Sequence, residues 1–171
     1  MNTITLPKGH ADLAAFRTVC SALSKDETRP TLTHLLLQDN TSVATDRHRI
    51  HTARLTDTYA DGLYQVVKRT KTAFVAVPAE DLDASDFPDY KCVIPDTNKC
   101  GQEVTLGTDV HKSLAKCIRA LPEDRCVNID YFCDALALFP EGCTAASDTF
   151  SLRMEDSLGR LAVIALMHIK E

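Results

Sequence analysis

The chain has 171 residues, of which 44% are hydrophobic and 25% are charged, a composition typical of a globular protein with one good core. Its longest apolar run, Leu161 to Met167, is far shorter than the roughly 20 residues that span a bilayer. The formal net charge of −5 argues against electrostatic binding of nucleic acid over the whole surface, because such binding depends on cations that displace counterions from phosphate. We therefore expect no membrane span, and any DNA contact should come from a local basic face.

The N-terminal residues and the cysteines favour a cytoplasmic protein. Residues 1–8 lack the basic stretch, apolar block and cleavage site of a secretory signal. The seven cysteines are odd in number and include no C-x-x-C pair, so we expect reduced structural thiols rather than zinc or dithiol chemistry. They are Cys20, Cys92, Cys100, Cys117, Cys126, Cys133 and Cys143.

The first half of the chain predicts a strand, then a helix. Residues 2–6 alternate as in a short strand, and a helix is expected from Gly9 or His10 to about Ser24, ahead of Pro30. Its apolar stripe is Leu13, Phe16, Cys20 and Leu23.

Four strands should follow this helix. Segments 32–38 and 42–55 predict a hairpin with turn chemistry at Asp39 and Asn40, and segments 63–69 and 73–77 predict two shorter strands. Residues 78–95 then carry prolines and acids with little periodicity, which indicates a connecting segment. The acids are Glu80, Asp81, Asp83, Asp86 and Asp89.

The second half repeats the plan of strand, helix and several strands. A strand is expected at 103–106 and a helix at about 109–121, with Val110, Leu114, Cys117, Ile118 and Leu121 on one side. The remaining predicted strands are 126–132, 135–139, 149–154 and 161–169. We interpret the chain as an internal repeat of structure: repeat one at about 1–78, a connector at about 79–101, and repeat two at about 102–171.

Three stretches of the chain resemble one family. The first is SKDETRPTL at 24–32 followed by VATDRHRI at 43–50, which is similar to a V-A-T-D-G-H-R-L strand in the middle domain of the bacterial DNA sliding clamp, the beta subunit of the replicative DNA polymerase. The second and most specific is FPDYKCVIP at 87–95, which resembles the F-P-D-Y-x-x-V-I-P connector into the last clamp domain. The third, looser, is 114–124 together with VIALMHI at 163–169, which resembles the clamp's V-V-M-P-M-R-L ending.

The resemblance implies an α+β fold, a clamp domain of two strand-helix-strand repeats with helices on one face of antiparallel sheets. Clamps of this family form a ring of six such domains, with helices lining the pore. We expect this chain to supply about one such domain, so it could close a ring only as a hexamer.

The resemblance also implies a site for partner proteins, because the matched segments form the clamp pocket that takes short apolar peptides of polymerases, loaders and repair proteins. An apolar cleft with a polar rim can anchor a peptide through one or two buried side chains. The implied residues are Leu32, Thr45, Arg47, His48, Arg49, Ile50, Pro88, Val93, Val163, Ala165, Leu166, Met167 and His168.

Some of these residues depart from the clamp pattern. Arg47 replaces a glycine, Ala165 and Leu166 replace methionine and proline, and His168 replaces an arginine. Arg47 either obstructs the cleft or points outward, because burial of an unpaired cation is costly.

A basic helix face is the candidate for DNA contact. Lys112, Lys116 and Arg119 recur at helical spacing opposite the apolar stripe, and the first helix adds Arg17. In a clamp this face looks at double-stranded DNA, which such phosphate contacts hold without reading sequence. A solvated helix face explains the same pattern.

No pattern in the sequence indicates catalysis, a cofactor or a metal site. G-x-S-x-G, Walker and H-E-x-x-H motifs are absent, and His48 and His51 should face opposite sides of one strand. The sequence therefore favours a clamp-like module that binds replication or repair peptides. The alternatives are an oligomeric DNA-encircling processivity factor, a competitor of a host clamp, and an unrelated small enzyme.

Overall fold

The computed structural model describes residues 2–169 and divides into two compact units, Met1–Asp89 and Tyr90–Glu171. The boundary falls inside the acidic, proline-containing connector at 79–101. Within the described residues, no helix combines the length and the apolar character needed to cross a bilayer.

The first unit is an antiparallel sheet with one α-helix packed against it. The strand order is β1-β6-β5-β2-β3-β4. The elements are β1 (Ile4–Pro7), α1 (Leu13–Val19), β2 (Leu35–Gln38), β3 (Thr41–Thr45), β4 (Arg49–Arg54), β5 (Gly62–Arg69) and β6 (Ala73–Pro78).

The core of this unit forms where α1 packs on β3, β4 and β6. Phe16 is fully buried, and its ring centroid lies 4.9 Å from that of Phe74 and 5.3 Å from that of Tyr59. The helix is shorter than expected, since a 3₁₀ turn follows at Cys20–Ala22 and Leu23 is already extended. The prediction that Leu23 belongs to the helical stripe was therefore wrong.

The β2–β3 hairpin confirms the turn expected at Asp39 and Asn40. Gln38 pairs with Thr41, and the two turn residues have φ of +51° and +59°, the left-handed values of a two-residue hairpin turn. The strand expected at 32–38 begins only at Leu35, because Pro30–Thr33 forms a 3₁₀ turn.

The second unit contains a four-stranded antiparallel sheet, order β11-β10-β9-β7, and a short β8–β12 pair. Helix α2 packs on β7 and β9, and α3 packs on β11. The elements are β7 (Val104–Leu106), α2 (Val110–Ala120), β8 (Arg125–Cys126), α3 (Ile129–Leu136), β9 (Cys143–Ser147), β10 (Ser151–Glu155), β11 (Leu161–Ala165) and β12 (Met167–His168).

Helix α3 lies where the sequence predicted strands, and this is the largest difference between prediction and structure. Strands were expected at 126–132 and 135–139, but residues 129–136 are helical. The side chain of Asn128 accepts a 3.1 Å hydrogen bond from the Tyr131 N–H and caps the helix. Phe132, Ala135 and Leu136 then follow at helical spacing and are buried.

Two other elements of this unit differ from expectation. Strand β9 was not predicted; Gly142 leads into it with φ +91°, and a Cβ there would lie 2.5 Å from the Leu106 carbonyl oxygen. The strand expected at 161–169 is interrupted between Ala165 and Met167.

Helix α2 begins where expected, but its predicted apolar stripe is buried only in part. The Asp109 carboxylate accepts a 3.1 Å hydrogen bond from the Lys112 N–H. Ser113 and Cys117 face the core, where the Ser113 hydroxyl donates to the Gly107 carbonyl at 2.7 Å. Cys117 of the predicted stripe is therefore buried, whereas Val110 and Ile118 of the same stripe are 36% and 56% exposed and do not belong to the core. The α+β class with antiparallel sheets is confirmed.

Candidate functional site

In the first unit, five of the seven predicted peptide-binding residues lie in the turn between β3 and β4 or in the strand ends beside it. One strand was expected over 42–55, but Asp46, Arg47 and His48 form a turn that divides it into two. The Asp46 carboxylate accepts hydrogen bonds from the N–H groups of His48 at 3.0 Å and Arg49 at 3.1 Å. His48 therefore lies in a turn, and the argument that it shares a strand with His51 was wrong.

Arg49 is fixed on this turn by its guanidinium. Nε donates to the Asp46 carboxylate at 3.0 Å, and a second nitrogen donates to the Ser21 carbonyl at 2.6 Å. Both side chains of the pair are largely shielded from solvent. Arg49 therefore ties the turn to the residues that follow α1.

Arg47 is exposed and its backbone has φ of +81°. This left-handed value favours glycine, the residue that the clamp pattern has at this position. We expected the Arg47 side chain either to obstruct the cleft or to point outward. Its exposure agrees with the outward orientation, because the cation is not buried.

The other predicted residues of the first unit differ in exposure. Leu32, Thr45 and Ile50 are buried, whereas Pro88 is exposed next to the buried Phe87. The buried residues can support a surface, and the exposed residues Arg47, His48 and Pro88 can touch a ligand directly.

In the second unit, the predicted residues are Val93 and the stretch where β11 passes into β12. Val163 is buried in β11 and Leu166 is nearly buried, with its N–H donating to the Phe150 carbonyl at 2.8 Å. The exposed members are Val93, Ala165, Met167 and His168; Met167 is 45% exposed. His168 Nδ1 lies 3.4 Å from the Asp124 carboxylate.

The predicted DNA-facing cations of α2 all lie on exposed positions. Lys112 pairs with Asp109 at 3.4 Å, and Lys116 Nζ donates to the Thr105 carbonyl at 3.1 Å, while Arg119 is exposed in the last turn. In the first unit, Arg17 is half-buried near the end of α1. The basic face expected on α2 therefore exists as an exposed surface.

Sequence reasoning missed a polar cluster of His10, Asp12 and Asp57, in which Asp12 is buried and Asp57 is exposed. Their ligand atoms lie within 4.8 Å of one another. The Asp12 carboxylate accepts hydrogen bonds from the N–H groups of Thr56 at 2.7 Å and Asp57 at 3.0 Å, and from the Tyr59 hydroxyl at 3.0 Å. Burial by itself raises the pKa of Asp12, but these hydrogen bonds outweigh it and the pKa is lowered.

The hydrogen bonds of this cluster do not suit a metal ion. His10 Nδ1 accepts from the Asp12 N–H at 3.2 Å, so in a neutral ring Nε2 carries the proton and faces Asp57 at 3.3 Å. A metal on Nε2 would require a proton on Nδ1, directly opposite the Asp12 N–H. We interpret the cluster as structural, because the Asp12 carboxylate holds residues 56–59 in place.

Comparison with known proteins identifies the fold. No family model and no curated protein sequence matches the chain. The beta subunit of DNA polymerase III from Borrelia burgdorferi, solved in complex with a natural product, superposes with a TM-score of 0.68 at 14% identity, covering 99% of this chain and 65% of that one. The chain has the fold of a bacterial sliding clamp.

Other clamps give the same result. The Thermotoga maritima beta subunit matches with a TM-score of 0.66 at 16% identity, covering 98% of this chain and 66% of that one. The Helicobacter pylori clamp, solved bound to a DNA ligase peptide, matches with a TM-score of 0.61 at 12% identity, covering 96% and 65%. The chain spans about 65% of the length of these clamps.

Proposed function

We propose that this chain is a sliding-clamp-like module that binds short apolar peptides of replication or repair proteins, among them DNA polymerases. The observation that supports this most is the match of nearly the whole chain to the Helicobacter pylori clamp that holds a DNA ligase peptide. The role proposed is binding, without catalysis and without a cofactor.

The proposal divides the predicted residues into two groups by exposure. Met167, Val93, Ala165 and Pro88 offer apolar contact, and polar contact comes from exposed Arg47, His48 and His168. In each unit, the buried or largely shielded residues of the predicted set would support the exposed ones. The supporting residues are Leu32, Thr45, Arg49, Ile50, Val163 and Leu166.

Binding of the Helicobacter pylori DNA ligase peptide, labelled with a fluorophore, tests the proposal by anisotropy. The full chain should bind it saturably, and Met167→Asp should weaken binding at least roughly tenfold, because a charge replaces an apolar anchor. The matched control is Leu158→Asp, since Leu158 is also an exposed apolar residue of the second unit but lies outside the predicted set. Equal loss in both variants, or no binding by the unaltered chain, would contradict the proposal.

The exposed cations of α2 favour a second function, sequence-independent contact with double-stranded DNA. Phosphate contacts release counterions, so affinity should fall with salt. If Lys112, Lys116 and Arg119 each contact phosphate, Arg119→Gln should reduce the slope of log affinity against log salt by about one. Lys71→Gln is the control, because Lys71 is an exposed cation of the first unit outside the predicted DNA-facing set. An unchanged slope for Arg119→Gln would contradict this function.

A further inference from the structure

A cleft of about 500 Å³ in the first unit lies apart from the residues assigned to partner peptides. One wall is residues 2–6, which include most of β1, and the other is residues 57–60 with His10 and Tyr64. None of these residues belongs to the predicted peptide set or to the predicted DNA-facing set.

The cleft follows the edge of β1 rather than one face of the sheet. Side chains of a strand alternate between faces, so a cleft on one face would be lined by every second residue. Here five consecutive residues line it, from Asn2 to Leu6. Among the strands of the first unit in residues 2–169, β1 pairs with β6 alone, so its other edge borders the cleft. Such an edge presents backbone N–H and C=O groups that can pair with another strand.

The opposite wall restricts what can pair there. Residues 56–59 are held by the Asp12 carboxylate, and the Tyr64 hydroxyl donates to the Ala60 carbonyl at 2.9 Å. This wall is therefore fixed before any ligand arrives. One extended segment is a suitable occupant, because the cleft volume of about 500 Å³ lies within the roughly 300–1,000 Å³ of small-ligand sites.

The charge of the lining favours a basic segment. Asp57 is the one carboxylate among the described lining residues, none of which is Lys or Arg, and its side chain is 60% exposed. His10 Nε2 lies 3.3 Å from one oxygen of the Asp57 carboxylate, and a carboxylate can accept hydrogen bonds from more than one partner. An extended peptide with a Lys or Arg side chain near Asp57 would add an ion pair there.

We propose that the open edge of β1 binds an extended peptide segment of another protein by strand addition, with a basic side chain of that segment at Asp57. Backbone hydrogen bonds to β1 supply the affinity, and Asp57 selects for the positive charge. This site is separate from the clamp-type peptide site, so a failure of either proposal leaves the other standing.

The test is a titration of the isotope-labelled full chain with the peptide acetyl-Thr-Val-Lys-Val-Thr-amide, followed by amide NMR. Saturable shifts are expected at residues 3–6 and 57–60, together with slower hydrogen exchange of the outward amides of β1. Replacing the peptide Lys with Glu, or Asp57→Asn in the protein, should weaken binding about fivefold, as for one exposed ion pair. The Helicobacter pylori DNA ligase peptide should not displace this probe.

Filling the cleft provides the blocking variant. Ala60 is exposed and its described hydrogen bond is made by its backbone carbonyl, so Ala60→Trp should keep the fold and abolish binding. Ala115→Trp, at an exposed position on α2 outside the cleft lining, is the matched control and should bind normally. The proposal is overturned if residues 3–6 show no saturable shifts up to about 5 mM peptide, or if folded Ala60→Trp binds as well as the control.

Discussion

The backbone N–H of Arg47 donates a 3.1 Å hydrogen bond to the Thr45 hydroxyl, which in turn donates to the Arg49 carbonyl at 2.8 Å. The turn between β3 and β4 is thus closed from inside by a buried threonine, while Arg47 keeps a left-handed backbone. The hydrogen bonds fix the turn, and the side chain at position 47 adds strain without contributing to its closure.

Arg47→Gly should therefore stabilise the protein. A non-glycine residue in the left-handed region costs roughly 1–2 kcal/mol, and the greater freedom of glycine in the unfolded chain offsets part of the gain. We expect the free energy of unfolding, measured by urea denaturation, to rise by roughly 0.5 kcal/mol. Arg47→Ala is the control, since it removes the charge but keeps the strain. Equal stability of the Gly and Ala variants would show that the backbone is unstrained.

Asp12→Asn should destabilise the first unit. The amide can replace at most part of the carboxylate's three hydrogen bonds, so at least one partly buried donor, from Asp57 or Tyr59, loses its acceptor. The expected loss is roughly 2–3 kcal/mol in the free energy of unfolding, measured by urea denaturation. Asp57→Asn, at a mostly exposed side chain, should change stability by no more than about 0.5 kcal/mol. If Asp12→Asn lost no more stability than Asp57→Asn, the role of Asp12 in holding residues 56–59 would be refuted.

The same residue predicts a pH dependence. The pKa of Asp12 is lowered from its ordinary value of 3.8 in the folded protein, because hydrogen bonds to the carboxylate outweigh burial. Its contribution to stability is therefore full above the unfolded pKa, and is lost as the pH falls from about 3.8 through the lower folded value. Between pH 5 and pH 2, roughly, unfolding free energy should fall more steeply in the unaltered chain than in Asp12→Asn. Parallel curves would contradict this assignment.

Much of the fold could be predicted from the sequence, and the wrong predictions have identifiable causes. The turn at Asp39 and Asn40, the start of α2 at Asp109 and strands β5 and β6 follow from local chemistry. By contrast, 126–139 has a high apolar content that fits strand or helix, and the decision rests on the cap at Asn128. Ser113 turns inward only because the Gly107 carbonyl is there to accept its hydrogen bond.

Less of the candidate site than of the fold could be predicted from the sequence. The turn at Arg47 is hidden because no glycine marks it, and the link between Asp12 and residues 56–59 joins positions more than 40 residues apart. The clamp pattern predicts which residues would form a peptide site, but their division into exposed and buried members depends on packing that a sequence pattern does not contain.

Asn128→Ala tests the helix that the sequence did not reveal. Loss of the cap leaves the Tyr131 N–H without its side-chain acceptor, and the free energy of unfolding should fall by about 1 kcal/mol. Asn128→Asp keeps an acceptor and should restore most of the loss. Urea denaturation of the three proteins measures the effect; indistinguishable Ala and Asp variants would mean that the cap contributes nothing.

Thiol reactivity should separate the buried from the exposed cysteines. Burial raises the pKa of Cys117 and Cys143 to about 12, so at neutral pH these groups remain thiols, which react poorly. Under native conditions a pulse of iodoacetamide should label exposed Cys92 well before either, as measured by mass spectrometry. Labelling of Cys117 at the rate of Cys92 would contradict the packing of α2 on the sheet.

The central claim is that this chain, which has the clamp fold, binds a clamp-type peptide. Titration of the labelled DNA ligase peptide with the unaltered chain, Met167→Asp and Leu158→Asp measures it most directly. The account predicts saturable binding that Met167→Asp weakens at least roughly tenfold and Leu158→Asp leaves intact. Absence of saturable binding by the folded, unaltered chain would contradict it.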